Sequence, residues 1–495
     1  MSAREQAPPL DHAAVRSIVF GVMLAMFLSA LDQTIIATAL ATIGRSFADV
    51  ENLSWVVTAY LLTATVAVPL YGKLSDIHGR RPMLMVGIAI FVAGSVACAL
   101  APTMPALILA RAVQGLGGGG LISLAQTIIA DAVSPRERGR YQGYIASVFA
   151  TSSIAGPVLG GVFAEHLHWT LIFWINLPLG LLAILMSLRA LKALPRHERP
   201  HRLDLIGAVL MMAAAVTLLL ALNWGGTRYA WAAPEMLALF AASALLWLLF
   251  GWRLARAPEP FVPLTVLRNP VIAVATTSAA FGFGTMIALA IYAPVYFETV
   301  LGLSAAASGL TLIPFMGGVV VGSTVSGQLM ARVLRYKRIG LVGLPVAALA
   351  LLPVALAPGR LSVAAVATLL AVAGTGLGTV LPITTIAVQN AVALHELGTA
   401  TAVNNFVRSL ASALLVAVYG AILLGGVARG PGGLTLEALL AAASRGGADL
   451  APVFGWIFAA AVAGLTLSFA FLVRLEERPL RSAAPRVDAP PIAAE

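Results

Sequence analysis

Charge is what this sequence has least of. Of its 495 residues only 11% are Asp, Glu, Lys or Arg, while 60% are hydrophobic and the mean hydropathy is +0.93. A water-facing surface needs roughly a quarter charged residues, so a soluble globular fold is excluded. Cysteine is nearly absent. Cys98 stands alone in an apolar run, which rules out an intrachain disulfide or a cysteine metal cluster. No two histidines have metal-ligand spacing, and no strand-turn-helix pattern places a nucleophile or a phosphate cradle. The Gly117–Gly120 run lies inside an apolar stretch and reads as packing glycine. No catalytic site, metal or cofactor is expected, and the chain reads as a protein other than an enzyme.

What the sequence has in abundance is long apolar runs. A helix needs roughly 20 apolar residues to cross about 30 Å of hydrocarbon. Apolar stretches between charged or Pro/Gly-rich breaks predict fourteen such helices, at 16–40, 53–73, 82–101, 105–130, 140–163, 170–191, 204–223, 234–253, 271–297, 306–330, 339–357, 362–388, 401–427 and 452–473. The first is full length and many follow, so no cleavable signal is expected. The fold class this predicts is an all-α polytopic membrane protein.

The net charge is +10, which in a soluble protein would suggest nucleic acid; in a membrane protein the placement matters. Fourteen spans put both termini on one side. By that topology 24 of the 31 Lys and Arg fall on the terminal side, five fall opposite (Arg45, Arg228, Arg360, Arg429, Arg445) and two lie inside helices (Arg111, Arg408). A miscounted helix would invert every later loop and scramble the bias. The positive-inside rule therefore supports fourteen spans with both ends cytoplasmic. The surplus charge is topological, and no nucleic-acid partner is expected.

A faint internal repeat is visible. Gly72-Lys-Leu74 after helix 2 is echoed by Gly327-Gln-Leu329 after helix 10, each with a basic residue eight positions beyond the glycine. The glycines of helix 4 (Gly115, Gly117–Gly120) are echoed in helix 12 (Gly374, Gly376, Gly378). Helices 1–6 then match helices 9–14 and leave helices 7 and 8 as an insert. The expected organisation is a cytoplasmic N-terminus (1–15), an N-terminal six-helix bundle (16–191), a linker and two-helix insert (192–270), a C-terminal six-helix bundle (271–473) and a cytoplasmic tail (474–495) whose end, from Arg481, is polar and expected to be disordered.

The residues that cost energy in a membrane point to function. Asp32 lies in the middle of helix 1, where a carboxylate costs about 2.5–3.5 kcal/mol and needs a cavity or a partner. Ser29, Asp32 and Gln33 have i, i+3, i+4 spacing, so they are expected on one polar face toward a cavity. A group whose charge is so costly is a natural proton carrier; the plainer alternative is a structural hydrogen bond. Arg111 and Gln114 on helix 4 make a polar node or a static ion pair. Gly156-Pro157-Val-Leu-Gly160-Gly161 on helix 5 allows close helix contact and interrupts the backbone ladder. Gly72, Asp76, Gly79, Arg80 and Arg81 form a tight loop in which Asp76 is expected to accept from a helix N-terminus or an arginine and latch two helices. Glu298 and Arg408 are lesser candidates, Arg408 being expected in a structural ion pair. His395-Glu396 reads as loop polarity.

Taken together these segments resemble the major facilitator superfamily, and in particular its fourteen-spanner drug:proton antiporter branch. Gly72-Lys-Leu-Ser-Asp76-Ile-His-Gly79-Arg80-Arg81 is similar to the superfamily's cytoplasmic 2–3 loop signature, and Leu107-Ile-Leu-Ala-Arg111-Ala-Val-Gln114-Gly115-Leu-Gly117 to its helix 4 motif. Gly156-Pro157-Val-Leu-Gly160-Gly161 resembles the helix 5 antiporter motif, with Ser152 where the motif usually has an upstream glycine. Leu31-Asp32-Gln33-Thr34-Ile35 and Phe173-Trp-Ile-Asn176-Leu-Pro178-Leu-Gly180 resemble the branch's helix 1 and helix 6 segments. The resemblance implies two six-helix bundles, plus the two-helix insert, rocking about a central cavity. It implies proton-coupled export of hydrophobic or amphipathic drugs, typically cations, across the cytoplasmic membrane. Asp32 and Arg111 would then handle protons beside a cavity bordered by Ser29, Gln33 and Gln114. A periplasmic adaptor occurs with some relatives but nothing here indicates one. A proton-coupled importer of a nutrient or siderophore keeps the same fold and is the alternative.

Overall fold

The computed structural model describes residues 12–49, 52–190, 203–226, 228–333, 335–428 and 450–480. The N-terminal residues 1–11, most of the linker ahead of the insert and the polar tail from Arg481 lie outside the described residues. Among the described residues, fourteen helices are long and apolar enough to cross a membrane: α1 (Val15–Leu40), α2 (Leu53–His78), α3 (Arg80–Ala99), α4 (Met104–Ala132), α5 (Pro135–His166), α6 (Leu171–Leu188), α7 (Leu205–Trp224), α8 (Pro234–Arg256), α9 (Pro270–Thr299), α10 (Ala307–Met330), α11 (Lys337–Leu356), α12 (Val363–Asn390), α13 (Leu394–Gly425) and α14 (Ala451–Arg474). Each overlaps the stretch expected at its position. Hydrocarbon offers no water to bond to the backbone, so a spanning segment closes its own hydrogen bonds as helix. Side chains cap several starts: Thr103 accepts from Ala106 N, Asp204 from Gly207 N and Asn269 from Val271 N.

Helices α1–α6 form one bundle and α9–α14 the other, with α7 and α8 packed on each other as an insert. In the first bundle α4 lies between α2 and α3, and α1 packs on α5 and α6. In the second, α12 packs on α10 and α11, and α9 on α13 and α14. The halves meet where the second helix of each packs on the fifth of the other, α2 on α13 and α10 on α5. The first insert helix, α7, rests on both α2 and α13 along that seam.

The echoed glycines occupy echoed places. A Cβ on Gly119 would lie 2.0 Å from the Ala64 carbonyl of α2, and one on Gly117 2.2 Å from the Phe91 amide of α3. In the second half a Cβ on Gly378 would lie 2.2 Å from the Val319 carbonyl of α10, and one on Gly376 2.2 Å from the Gly343 carbonyl of α11. α4 and α12 are thus each pinched between two neighbours at backbone contact. Between the halves, a Cβ on Gly327 would sit 1.8 Å from the Gly139 carbonyl, and one on Gly72 2.8 Å from the Gly398 carbonyl. These two contacts close the basic end of the molecule.

Overpacking such a contact costs about 1–3 kcal/mol. Gly119→Leu is therefore expected to lower the thermal midpoint of the purified protein clearly. Gly251→Leu, on α8 with nothing within 4 Å of its Cβ, should leave it near wild type.

Candidate functional site: a buried ion pair, a latch and a central cavity

Asp32 is 1% exposed and Arg111 0% exposed. Arg111 Nη1 donates to Asp32 Oδ2 at 2.6 Å and to Gln114 Oε1 at 2.7 Å, and its Nε donates to the Val56 carbonyl at 3.0 Å. Gln114 Nε2 and Asn176 Nδ2 donate to Asp32 Oδ1 at 2.7 and 3.1 Å. Asn176 also donates to Ser95 Oγ at 2.9 Å, while its Oδ1 has no partner. The guanidinium stacks over the Tyr60 ring, 4.3 Å from its centroid. The node thus gathers α1, α2, α3, α4 and α6, which α4 can hold together because its glycines let α2 and α3 approach.

Asp32 and Gln33 part company on α1. Gln33 and Ser29 line the cavity, and Gln33 is exposed to it; Asp32 turns into the bundle and does not line it. Residues 32 and 33 are separated by about 100° around the helix, enough to place them on different faces. Gln114 also fails to reach the cavity, being drawn to Asp32 and Arg111. The expected single polar face therefore divides into a buried charged node and a cavity wall. Ser29 joins the two, since its Oγ lies 3.2 Å from the Tyr60 hydroxyl and donates to the Gly118 carbonyl.

At the basic end Asp76 reaches across to the second half. Its Oδ1 accepts from Gly398 N at 3.0 Å, and its Oδ2 from Thr399 N at 2.7 Å and Thr399 Oγ1 at 2.6 Å, at the start of the helix that begins at Leu397. Those amides have no intrahelical acceptor, and the helix dipole favours an anion there. Arg80 pairs with Asp76, and its Nε donates to Asp131 Oδ2 at 2.8 Å. Gly79 turns the chain at φ +94°, a region suited to glycine. Gly72 supplies the close approach to α13, and Arg81 forms none of these bonds.

On α5, Cβ atoms on Gly156 and Gly160 would lie 2.0 Å from Thr34 Oγ1 and 2.3 Å from the Ile35 carbonyl of α1. Gly161 has open space around it, and Pro157 lies inside a continuous helix with its ring exposed. Among the motif's glycines, close packing on α1 is thus the work of Gly156 and Gly160. Glu298 is exposed near the end of α9.

The cavity holds about 730 Å³ between the halves and reaches toward the end opposite the basic loops, to Trp231 and Leu424. Ser29, Gln33 and Gln126 line it from the first half and Phe283, Asn405 and Arg408 from the second. Asn405 Nδ2 donates to Gln126 Oε1 at 2.8 Å, bridging the halves. Leu222 and Trp231 of the insert complete a wall, a role the sequence does not signal because both read as ordinary membrane residues. Arg408 departs from expectation. It has no ion-pair partner among the described residues; its guanidinium stacks over Phe283, 4.2 Å from the ring centroid, and faces the cavity. Among the described lining residues it carries the single charge, and there is no carboxylate to favour a cationic cargo.

Removing one partner of a buried ion pair costs about 3–5 kcal/mol. Arg111→Gln leaves a carboxylate that can take up a proton, so its stability loss should shrink as pH falls. Asp32→Asn leaves a guanidinium that keeps its charge and no carboxylate at the node to titrate, so this node should add no pH dependence to the variant's own midpoint. Unfolding midpoints in detergent across pH would check both.

Residues 22–416 match the Major Facilitator Superfamily. An uncharacterized MFS-type transporter of Mycobacterium tuberculosis is 35% identical over 417 residues, 84% of this chain but 60% of the relative's length, so this chain spans less than two thirds of it. Multidrug resistance protein 3 of Bacillus subtilis is 32% identical over 83% of this chain and 80% of its own, and the multidrug transporter protein MdtP of the same organism 33% identical over 82% and 75%. Among solved structures, the human organic anion transporter MFSD10 aligns with a TM-score of 0.62 at 17% identity, covering 92% of this chain and 99% of that one. The proton:xylose symporter XylE aligns at 0.59 and 16%, covering 92% and 95%; both likenesses speak to fold alone. With two pseudo-repeated six-helix bundles, an insert and a central cavity, this chain belongs to the Major Facilitator Superfamily, a family of membrane transporters and not of enzymes.

Proposed function

We propose that this protein exports hydrophobic or amphipathic compounds across the cytoplasmic membrane in exchange for protons, with both termini cytoplasmic and Asp32 carrying the proton. Residues 16–191 and 271–473 are the two bundles that rock, and 192–270 the insert between them. The observation that carries the reading is the buried node: a carboxyl group held by a guanidinium and two amides, one helix face away from a cavity suited to a drug-sized molecule. The multidrug names of the Bacillus subtilis relatives support efflux.

In this mechanism a proton arriving on Asp32 cancels the charge that holds Arg111. Arg111 then shifts over Tyr60, and Tyr60 transmits the shift to Ser29 at the cavity wall. Asp76 holds the basic end closed while its bonds to Gly398 and Thr399 last; breaking them lets the halves rock about the α2–α13 and α5–α10 contacts. A proton moving inward gains about 2.3 kcal/mol per 100 mV and about 1.4 kcal/mol per pH unit. For an uncharged cargo, 100 mV and one pH unit together sustain an outward gradient of several hundredfold at one proton per cycle.

The test is cargo-driven proton release from inside-out vesicles under an imposed pH gradient, using amphiphiles of positive, negative and no charge. Wild type should release protons with at least one probe, and Asp32→Asn, shown to be folded, should not. Release that persists in Asp32→Asn would remove Asp32 as the carrier. Failure of every probe with folded wild type would remove the export reading.

A further inference from the structure

We infer that Arg408 is the recognition group for a negatively charged head on an amphipathic cargo, so that the transport site proposed above takes carboxylate, sulfonate or phosphate amphiphiles in preference to cations. The inference rests on the export reading for its direction and on the cavity for its chemistry.

Arg408 sits within a spanning helix and is 7% exposed, yet no ion pair or side-chain hydrogen bond partners its guanidinium among the described residues, and its Nε is buried and unsatisfied. The contrast with Arg111 is direct, because that side chain is bound by a carboxylate, an amide and a backbone carbonyl. A guanidinium keeps its charge in a protein, and a buried charge without a counterion is costly. Among the described residues of its own bundle, candidates for a counterion are few. Between residues 271 and 428 the sequence contains two acidic residues, Glu298 and Glu396. Glu298 is exposed near the end of α9, and Glu396 is in the 3-10 turn that opens α13, where it accepts from Thr265 Oγ1 at 2.6 Å. The membrane-interior acid of the other half, Asp32, already has its partner in Arg111.

The missing counterion is therefore expected from the cargo. One face of the guanidinium stacks on Phe283, which leaves the in-plane N–H edge to meet an oxyanion in bidentate geometry. Ser409 and Ser412 lie along the same wall and add hydroxyl groups, although Ser412 Oγ currently donates to the Arg408 carbonyl. Met286, Ile287 and Leu222 provide an apolar surface for the body of such a molecule. A second consequence is electrical. An anion leaving a cell with an inside-negative potential moves down that potential, in the same electrical sense as a proton entering.

Three probes sharing one skeleton would test this in purified full-length protein: 1-pyrenebutyrate, its methyl ester, and the matching pyrenylbutyl trimethylammonium. Binding to wild type should favour the carboxylate over the ester by about tenfold or more, as expected for a charge-assisted hydrogen bond, with the ammonium weakest. Arg408→Gln should bring carboxylate and ester to equal affinity without weakening the ester, which also reports that the cavity is intact. Arg408→Lys should keep part of the preference. Ammonium binding as tight as carboxylate in wild type would overturn the inference, and so would a preference that survives Arg408→Gln. A carboxylate preference erased by excess chloride would also overturn it, by making an inorganic anion the resident counterion. Equilibrium binding needs no proton coupling. An intact anion preference alongside unaltered proton release in Asp32→Asn would thus fault only the coupling assignment, and the reverse result would fault only this one.

Discussion

Hydrocarbon solvates neither charge nor backbone, and that constraint organises this molecule. It forces each spanning segment into helix, and it makes every polar side chain within a span answer for its presence. Asp32 and Arg111 answer by binding one another and by taking up Gln114, Asn176 and the Val56 carbonyl. Asp76 answers at the start of α13, where amides lack acceptors. Arg408 alone among these side chains is answered only by a phenylalanine ring and an open cavity. Where the rule is obeyed the structure is held; where it is left unmet, the structure is receptive.

The same constraint explains the reliance on glycine. Helices in lipid gain nothing by burying apolar surface against each other, since lipid is equally apolar, and so they associate through close backbone packing. Gly117 and Gly119 let α4 touch α3 and α2, which brings Arg111 within reach of Val56, Asp32 and Tyr60. The glycines between the halves are of another kind. Gly139 with Gly327, and Gly72 with Gly398, bring backbone to backbone across the seam, while Val66 and Val68 of α2 pack with Ala402, Val403 and Phe406 of α13 in a buried apolar cluster beside it. Polar bonds from Asp76 to the start of α13 cross the same seam, and in the proposed cycle they are the ones that must break.

Much of this is legible in one dimension. Spans follow from summed hydropathy over roughly 20 residues, a signal that one or two misjudged edges cannot erase, and the basic loops check the count. Asp32, Arg111 and Asp76 stand out because each is expensive or tightly constrained where it lies. Partnership is less legible. That Arg111 takes Asp32, 79 positions away, depends on how α1 and α4 face each other, and one residue's difference in register separates cavity-facing Gln33 from buried Asp32. Arg408 reads in the sequence like Arg111, a guanidinium in a span that needs an acid. Only the packing distinguishes a paired arginine from one left facing a cavity. The insert is the same case, for Leu222 and Trp231 carry no mark of their place in the wall.

If Asp32 exchanges protons for cargo as proposed, the two charged centres limit how the coupling can work. Protonating Asp32 adds positive charge to the first half by leaving Arg111 unneutralised. By simple electrostatics that would strengthen the hold on an anion at Arg408, which is the opposite of what exchange requires. A proton and an anionic cargo therefore cannot be coupled here by competing for one charge. The coupling has to pass through conformation, with Asp32 and the cargo each biasing which end of the cavity is open. The architecture has the parts for this. Asp32 lies on α1, which meets α5 at Gly156 and Gly160, and α5 in turn meets α10 at Gly139 and Gly327, the contact that closes the basic end. In the proposed cycle, a change in how α1 seats on α5 would thereby reach that contact, because Asp32 is one of the residues that tie α1 to α4.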